Sequence, residues 1–401
     1  MRSPQVRDRR HHDPSRRRHH ARLQIESEPS CAVKAAPRFA RSPRFGGKPH
    51  HLGNRDRPLD PNHRPGRHLP PRVSPSPRCG ARALKAVAPS RSPSVTFARR
   101  RPATDVLVVA DAGDEHAVLV LDELRDASAS ATRLNLSDFA TCRVTIGSGV
   151  VEIVRAGETS HITAATTTWW FRAGVPATTG LERLEADLVA DELPAVLIGG
   201  LTAAGVRWVD SPDVVRTAEL KAHQLEVARR SGAHTPRWLI TNDPDEAHTL
   251  AYSTRIVAKA LSSGIGIAPY VAEVGIDDLD SVSALPTFLQ ELIPATADLR
   301  VVVVNGHSWV WRRARGEDDP VDWRATDPAG TGFKLSENRA VGVLAAQITA
   351  SLGLSMSVQD WLETVSGPVF LECNPQGAWA FLDNAPSQVV PSLTRFLLGR
   401  P

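Results

Sequence analysis

Two carboxylates and one amide near the C-terminus have the types and spacing of magnesium ligands. Glu372 and Asn374 lie two residues apart in an apolar stretch that predicts a strand, so their side chains point to the same face of a sheet. Asp360 lies on the strand predicted to pair with it and can reach that face. Mg²⁺ takes one or two protein carboxylates and adds water and phosphate oxygens. The alternative is a solvated Asp360 beside a turn at Asn374-Pro375.

Lysine is scarce in the part of the chain that contains these residues. From Arg101 onward there are 21 arginines but three lysines, Lys221, Lys259 and Lys334. An ammonium group approaches phosphate as a compact point charge, so Lys221 and Lys259 are predicted to bind phosphates. The alternatives are a solvated helix position for Lys221 and a side chain that snorkels from a strand end for Lys259. Lys334 is predicted to be structural.

A loop of small residues follows Lys259, and its backbone N–H groups are suited to contact the same phosphates. The residues of this loop that we expect to contact phosphate are Ser262, Ser263, Gly264 and Gly266. A flexible loop at this place is also expected to act as a lid that excludes water during the reaction.

A short extended segment between Pro286 and Pro294 predicts a hinge for a nucleobase. Apolar neighbours, backbone groups and the Glu291 carboxylate would face the edge of adenine. The hinge residues are Gln290, Glu291, Leu292 and Ile293. Arg300 follows in a Val-rich strand, where burial of an unpaired charge is costly. Arg300 therefore faces an anionic ligand or forms a structural ion pair, and the sequence leaves both open.

The elements that position these residues follow from hydrophobic periodicity. An apolar strand at residues 105–109 leads through a polar loop to a helical pattern, which opens an α/β domain. One continuous helix, capped by Ser211, is predicted over residues 212–232 and carries Lys221. Two hairpins are predicted around Asn305-Gly306 and Ser366-Gly367. The sequence thus predicts an α/β domain that is followed by two antiparallel hairpins with a helix between them.

The first hundred residues differ in composition from the rest. They contain 24 Lys+Arg against 6 Asp+Glu, and 15 of the 31 prolines. Such a segment buries too little apolar surface to fold, so it is expected to be a disordered extension or the product of a start codon assigned too early. A nucleic-acid-binding arm is the less favoured alternative. The four cysteines are scattered, so neither a structural zinc site nor disulfides are predicted. The sequence has no long apolar run, which predicts a cytoplasmic protein without membrane contact.

The succession of these parts resembles the ATP-grasp superfamily. More narrowly, KAHQLEVARRSG (221–232), PRWLITNDPD (236–245) and FLECNPQGAW (370–379) are similar to the graspetide synthetases, the ATP-grasp maturases of ribosomally made peptides. The resemblance covers residues 104–401. It implies an N-terminal α/β pre-ATP-grasp domain followed by a two-lobed α+β ATP-grasp fold. The implied units are a basic extension (1–103), the α/β domain (104–210), a central lobe (211–295) and a C-terminal lobe (296–401).

The resemblance also implies an activity. A ligase of this kind uses ATP and Mg²⁺ to activate a carboxylate as an acyl-phosphate, releases ADP and phosphate, and forms ester or amide crosslinks in a precursor peptide with a leader. Lys221 and Lys259 would hold the ATP phosphates, Glu291 and its neighbours the adenine. Arg300 would face the acyl-phosphate, and Arg324 would lie by the transferred phosphate. The implied ligands of the magnesium ions are Asp360, Glu372 and Asn374.

Alternatives to this activity stay open. One is an ATP-grasp ligase that joins an amino acid to a small molecule or to a protein C-terminus, and another is a degenerate module that binds nucleotide or peptide without turnover. Two features depart from the family: residues 169–173 lack an arginine and a proline that are usual there, and Cys373 replaces a small aliphatic residue. The first departure bears on the peptide substrate. A homodimer is compatible with the sequence, which does not determine the oligomeric state.

Overall fold

The computed structural model describes residues 103–147, 149–261 and 271–400. The described residues belong to one compact unit. Ser262, Ser263, Gly264 and Gly266 lie outside the described residues, and so do the lid predicted from them and the basic segment 1–102.

The secondary structure consists of sixteen strands and seven α-helices among the described residues. The strands are β1 (Val106–Val109), β2 (Ala131–Leu134), β3 (Arg143–Gly147), β4 (Val150–Arg155), β5 (Glu158–Ile162), β6 (Thr167–Trp170), β7 (Arg207–Val209), β8 (Trp238–Thr241), β9 (Ile256–Lys259), β10 (Val271–Glu273), β11 (Thr287–Glu291), β12 (Ala297–Val304), β13 (His307–Ala314), β14 (Lys334–Ser336), β15 (Met356–Thr364) and β16 (Gly367–Asn374). The α-helices are α1 (Glu115–Asp126), α2 (Arg183–Ala204), α3 (Pro212–Ala218), α4 (Lys221–Arg230), α5 (Pro244–Ser253), α6 (Arg339–Ser351) and α7 (Ala385–Leu397).

A parallel sheet with the order β2-β1-β6-β7 forms the first part of the fold. All four residues of β1 are fully buried, as expected for a strand covered on both faces. Asp114 caps the N-terminus of helix α1, because its carboxylate accepts a hydrogen bond from the backbone N–H of Ala117. The predicted strand and helix are therefore present. Helix α7 packs against α1 and joins this sheet to the C-terminal part of the chain.

A three-stranded antiparallel sheet, β3-β4-β5, contains a hairpin that joins β3 to β4. Its turn includes Gly149 with a φ of +77°, a conformation that glycine adopts without strain. Helix α2, which periodicity did not reveal, covers this sheet with its second half only. The buried residues of α2 are Leu197, Gly200, Leu201 and Ala204.

The single helix predicted over residues 212–232 is wrong, because the chain breaks between α3 and α4. Leu220 has an extended conformation, with φ −70° and ψ 104°. The buried Gln224 side chain stabilises the break, since its Nε2 donates a hydrogen bond of 2.6 Å to the carbonyl of Ala218 at the end of α3. Lys221 consequently begins a new helix instead of lying inside a longer one.

Two antiparallel sheets form the rest of the fold, β10-β9-β11-β8 and β14-β13-β12-β15-β16. The predicted hairpin at Asn305-Gly306 joins β12 to β13, and both residues have positive φ values, 47° and 81°. The second predicted hairpin joins β15 to β16. Helices α6 and α7 cover opposite faces of the larger sheet, since alternate residues of β12 contact each of them. Among the described residues, no helix has the length and apolar character needed to span a membrane.

Candidate active site

A cleft open to solvent lies between the sheets β10-β9-β11-β8 and β14-β13-β12-β15-β16. Strands β9, β10 and β11 line one side, and β12, β15 and β16 line the other. Apolar side chains such as Val257, Leu292 and Ile293 line part of the cleft, while Lys259, Glu372 and further charged groups also contribute. An apolar pocket with a few convergent charged groups is typical of a site for a nucleotide-sized ligand.

Asp360 and Glu372 are direct partners across the β15–β16 hairpin and lie on the same face of the sheet. A β-bulge next to Asp360 leaves Leu371 without a partner. Asn374 lies on the same face as Glu372, and its Nδ2 donates a hydrogen bond of 3.0 Å to Glu372 Oε1. The structure therefore brings together the three side chains that the sequence predicts as metal ligands.

Lys221 reaches this group from α4, with its Nζ 2.8 Å from Glu372 Oε2. Gln224, one turn further along α4, holds the helix in register with β16. Its Nε2 donates to the carbonyl of Cys373 at 2.5 Å, and its Oε1 accepts from the Cys373 N–H at 3.0 Å. The side chain thus pairs with the strand as a neighbouring strand would, which fixes Lys221 over Glu372.

Arg300 is buried and forms an ion pair of 2.6 Å from its Nη1 to Asp360 Oδ1. Its Nε and Nη2 both donate to the carbonyl of Ala378, at 3.0 and 2.7 Å. Of the two alternatives that the sequence left open, the structure therefore shows the ion pair. The guanidinium group neutralises and orients the Asp360 carboxylate.

Lys259 stands at the end of β9, half-buried, beside the same carboxylates. Burial lowers the pKa of its ammonium group, the nearby Lys221 lowers it further, and the charges of Glu372, Asp360 and Asp322 oppose this. Within the described residues Lys259 forms no ion pair shorter than 4.0 Å. A partly desolvated cation among acidic groups is suited to take an anionic ligand such as phosphate.

The two carboxylates respond differently to their surroundings. Burial would raise the pKa of Glu372, but the charges of Lys221 and Lys259 and the hydrogen bond from Asn374 hold it below its usual range. Burial and the charge of Glu372 raise the pKa of Asp360 despite the opposing effect of Arg300. Glu372 is therefore ionised throughout the physiological range, while a cation at the site would favour the ionised form of Asp360.

The predicted hinge forms strand β11 and its continuation, and it lines the cleft. Glu291 lines the cleft, and its carboxylate accepts hydrogen bonds of 3.2 Å from both the backbone N–H and the Nε of Arg237. The neighbouring Gln290 is 1% exposed, and its Nε2 has no hydrogen-bond partner among the described residues. A buried amide without a partner in a cleft wall indicates a polar ligand atom.

Arg324 also lines the cleft. Its Nη1 lies 3.1 Å from Asp322 Oδ1, and its guanidinium group lies 4.8 Å from the centre of the Trp323 ring. The side chain is about half exposed, so it can exchange water for an anionic ligand at low cost. Its charge also lowers the pKa of Asp360, against the larger effect of burial, which raises it.

The residues at this end of the cleft fit magnesium and a polyphosphate. No group of three His, Cys, Asp or Glu side chains that could hold a metal ion occurs in the described part of the chain. The donors at the cleft are instead two carboxylates and one amide oxygen, a set that leaves coordination positions for phosphate oxygens and water. Among the described residues, the Gln290 amide has no hydrogen-bond partner and is suited to contact a nucleobase. The Lys259 ammonium group has no ion-pair partner among them and is suited to contact a phosphate.

Solved structures share this architecture. The macrocyclase MdnC from Microcystis aeruginosa MRC, bound to precursor peptide MdnA, has 19% identity and a TM-score of 0.64, with 73% of this chain and 99% of that one covered. A RiPP-associated ATP-grasp ligase from Chryseobacterium gregarium, in complex with ADP and a leader and core peptide, has 18% identity and a TM-score of 0.65. The match covers 74% of this chain and 97% of that one. This chain has the ATP-grasp fold.

A third similar structure is the ATP-grasp ligase PsnB with a minimal precursor, Mg and ADP, at 19% identity and a TM-score of 0.60 over 74% of this chain and 98% of that one. The ATP-grasp fold expected from the sequence is thus confirmed. No protein-family model and no curated protein matches the chain. At these identities the likeness establishes the fold, and the activity has to be argued from the site.

Sequence reasoning missed three residues that organise the site. Gln224 and Arg237 hold Lys221 and Glu291 in place, and His116 binds the loop that follows β16. Gln224 carries one usable signal, since it is a polar residue on the apolar side of a predicted helix. The partners of all three are distant in sequence and appear only in the folded chain.

Proposed function

We propose that this protein is a graspetide synthetase: an ATP-dependent ligase that crosslinks side chains of a ribosomally made precursor peptide. The observation that carries the proposal is the convergence of Asp360, Glu372 and Asn374 with Lys221 and Lys259 at a cleft of an ATP-grasp fold. The similar structures that contain precursor peptides, ADP and Mg support it. ATP use agrees with a cytoplasmic location, which forms part of the proposal.

The residues of the cleft have distinct proposed roles. Lys259 and Lys221 hold the phosphates, and the transferred phosphate lies towards Arg324. Gln290 and the backbone of Leu292 and Ile293 receive the adenine. Asp360, Glu372 and Asn374 hold magnesium, which when bound neutralises charge on the phosphate oxygens. Arg300 acts on this site through Asp360.

The chemistry needs few proton transfers by the protein. A carboxylate oxygen of the peptide attacks the γ-phosphorus, and ADP leaves with the electron pair of the broken P–O bond. A hydroxyl or amine of the same peptide then attacks the acyl carbon and expels phosphate, which leaves with the proton of the nucleophile, and an ester or an amide forms. Positioning and electrostatic stabilisation account for most of the acceleration in such transfers.

Co-expression with a short peptide encoded by a neighbouring reading frame tests this function. We expect each crosslink to reduce the peptide mass by one water, with ADP and phosphate as products. Asp360→Asn or Glu372→Gln should lower kcat by about 100-fold or more, because each removes a carboxylate that holds the cation. Glu363→Gln is the matched control, since Glu363 lies on β15 but pairs with Arg312 outside the cleft.

Two outcomes would contradict the proposal. Brisk phosphate release with single amino acids and no peptide would favour a ligase that acts on free amino acids or protein C-termini. Full crosslinking activity in Glu372→Gln would show that the metal site lies elsewhere.

A further inference from the structure

The loop formed by residues 375–384, between β16 and α7, lies directly behind the proposed metal site. Its Ala378 carbonyl accepts two of the three hydrogen bonds that hold Arg300, and the third goes to Asp360. Gly377 approaches β15 so closely that a Cβ at this position would lie 2.5 Å from Val358 Cβ. The position of this loop therefore determines where Arg300, and through it Asp360, can lie.

His116 of helix α1 holds this loop from the opposite side. Its Nε2 accepts hydrogen bonds from the backbone N–H groups of Trp379, at 2.9 Å, and Ala380, at 3.1 Å. The His116 ring is 5% exposed and packs between Phe171 and Trp379. Two N–H groups of the loop thus depend on one acceptor, and their burial makes the loss of that acceptor costly.

The contacts also determine which imidazole nitrogen carries the proton. Because Nε2 accepts two hydrogen bonds, it carries no proton. The proton is therefore on Nδ1, which lies 3.2 Å from Asp114 Oδ1. The other Asp114 oxygen pairs with Arg172 Nη1 at 3.1 Å, and Arg172 Nε donates to the Gln376 carbonyl at 2.9 Å. Asp114 and Arg172 therefore bind the same loop at a second point.

We propose that His116, as the neutral Nδ1–H tautomer held by Asp114, is a positioning residue for the metal site. It acts through residues 376–380 and Arg300 on the Asp360 carboxylate, so the first sheet of the fold helps to shape a site in the last one. The role in turnover rests on the proposed function, whereas the tautomer and the position of the loop do not. Partners that orient metal ligands in this way typically change metal affinity or activity by about 10- to 100-fold when they are removed.

Three variants separate positioning from general stability. His116→Gln places an amide oxygen close to the position of Nε2 and keeps an acceptor for the loop. His116→Phe keeps the ring but removes the acceptor. Val120→Ala is the matched control, since Val120 is fully buried on α1 in the same core cluster as Trp379 but bonds to nothing in the loop.

The first readout is independent of turnover. Nitrogen-15 NMR of the full chain should show a neutral His116 with the proton on Nδ1 at pH 7, and the amide resonances of Trp379 and Ala380 should move in His116→Phe but return towards wild type in His116→Gln. A proton on Nε2 would overturn the inference. This result does not depend on whether the protein crosslinks peptides.

The second readout follows the metal, with Mn²⁺ titrated in the presence of ADP and detected by electron paramagnetic resonance. We expect His116→Phe to weaken Mn²⁺ binding and crosslinking kcat by about 10-fold or more, with most of both recovered in His116→Gln and neither changed in Val120→Ala. If His116→Phe and Val120→Ala had the same Tm and lost Mn²⁺ affinity and kcat equally, His116 would be a purely structural residue. Absence of Mn²⁺ binding in the wild type would instead contradict the proposed function.

Discussion

Single side chains in this protein bind several partners that come from distant parts of the chain. The Asp114 carboxylate caps α1, pairs with Arg172 and contacts His116. Arg300 likewise bridges Asp360 and the carbonyl of Ala378. Groups shared in this way are sensitive to substitution, because removal of one partner leaves several buried donors without an acceptor.

Asp114 should make the stability of the protein depend on pH. Burial opposes ionisation, but hydrogen bonds from His116 and Ala117 and the charge of Arg172 lower the pKa of Asp114 to about 2, from 3.8 in the unfolded chain. Its stabilising contribution, about 2 kcal/mol, is therefore complete above pH 4 and is lost as the pH falls towards 2. Chemical denaturation of wild type and Asp114→Asn should show a difference in unfolding free energy that shrinks over this interval.

The exposed Asp126→Asn on the same helix serves as the control for replacement of an aspartate by asparagine. A difference between wild type and Asp114→Asn that stays constant from pH 5 to pH 2 would contradict the assigned pKa.

Two local irregularities in secondary structure produce the geometry of the cleft. The bulge beside Asp360 changes the alternation of β16, so that Phe370 and Cys373 face the core near α6 while Glu372 faces the cleft. The break between α3 and α4 places Lys221 at a helix start above Glu372. A regular β16 would turn Glu372 away from the cleft, and a continuous helix would move Lys221 away from Glu372.

Gln224 should be the residue that stabilises the helix break. Gln224→Leu removes the bonds to Ala218 and Cys373 and leaves buried backbone groups unpaired, so we expect a loss of about 2–4 kcal/mol in unfolding free energy. Nucleotide affinity should fall as well, because Lys221 loses its register with β16. Urea denaturation and nucleotide titration measure the two effects. His223→Ala, next to it and exposed, should leave both unchanged.

The molecule as a whole brings three of its four sheets to one functional region. The two antiparallel sheets form the walls of the cleft, while the parallel sheet holds the loop behind it through α1. A ligand bound in the cleft would contact both antiparallel sheets, so binding should stabilise them together. Such a ligand raises the free energy of unfolding by about 2.7 kcal/mol at a concentration 100 times its Kd.

ADP with Mg²⁺ should therefore raise the Tm of the wild-type protein. Lys259→Met should abolish most of this increase, because the ammonium group that faces the phosphates is lost. Lys334→Met is the matched control, since Lys334 is exposed and lies 3.6 Å from Asp383 outside the cleft. Differential scanning calorimetry measures the shift, and an equal loss in both variants would contradict the role of Lys259.

Sequence alone determined the fold class, the two C-terminal hairpins and the placement of Glu372 and Asn374 on one strand face within reach of Asp360. These features depend on local signals: apolar alternation, Asn-Gly and Ser-Gly turns, and the period of two along a strand. Such signals act between residues that are close in sequence. Lys221 and Lys259 were singled out by a different signal, the scarcity of lysine in this part of the chain.

Only the tertiary structure decided how these groups are held. The break before Lys221 depends on Gln224 reaching Cys373, the ion pair of Glu291 depends on Arg237, and the loop behind Asp360 depends on His116. Each of these contacts joins residues more than 50 positions apart, and those of Gln224 and His116 replace water around buried polar groups with specific partners. No local pattern encodes that partner, because its identity depends on which surfaces meet when the sheets pack.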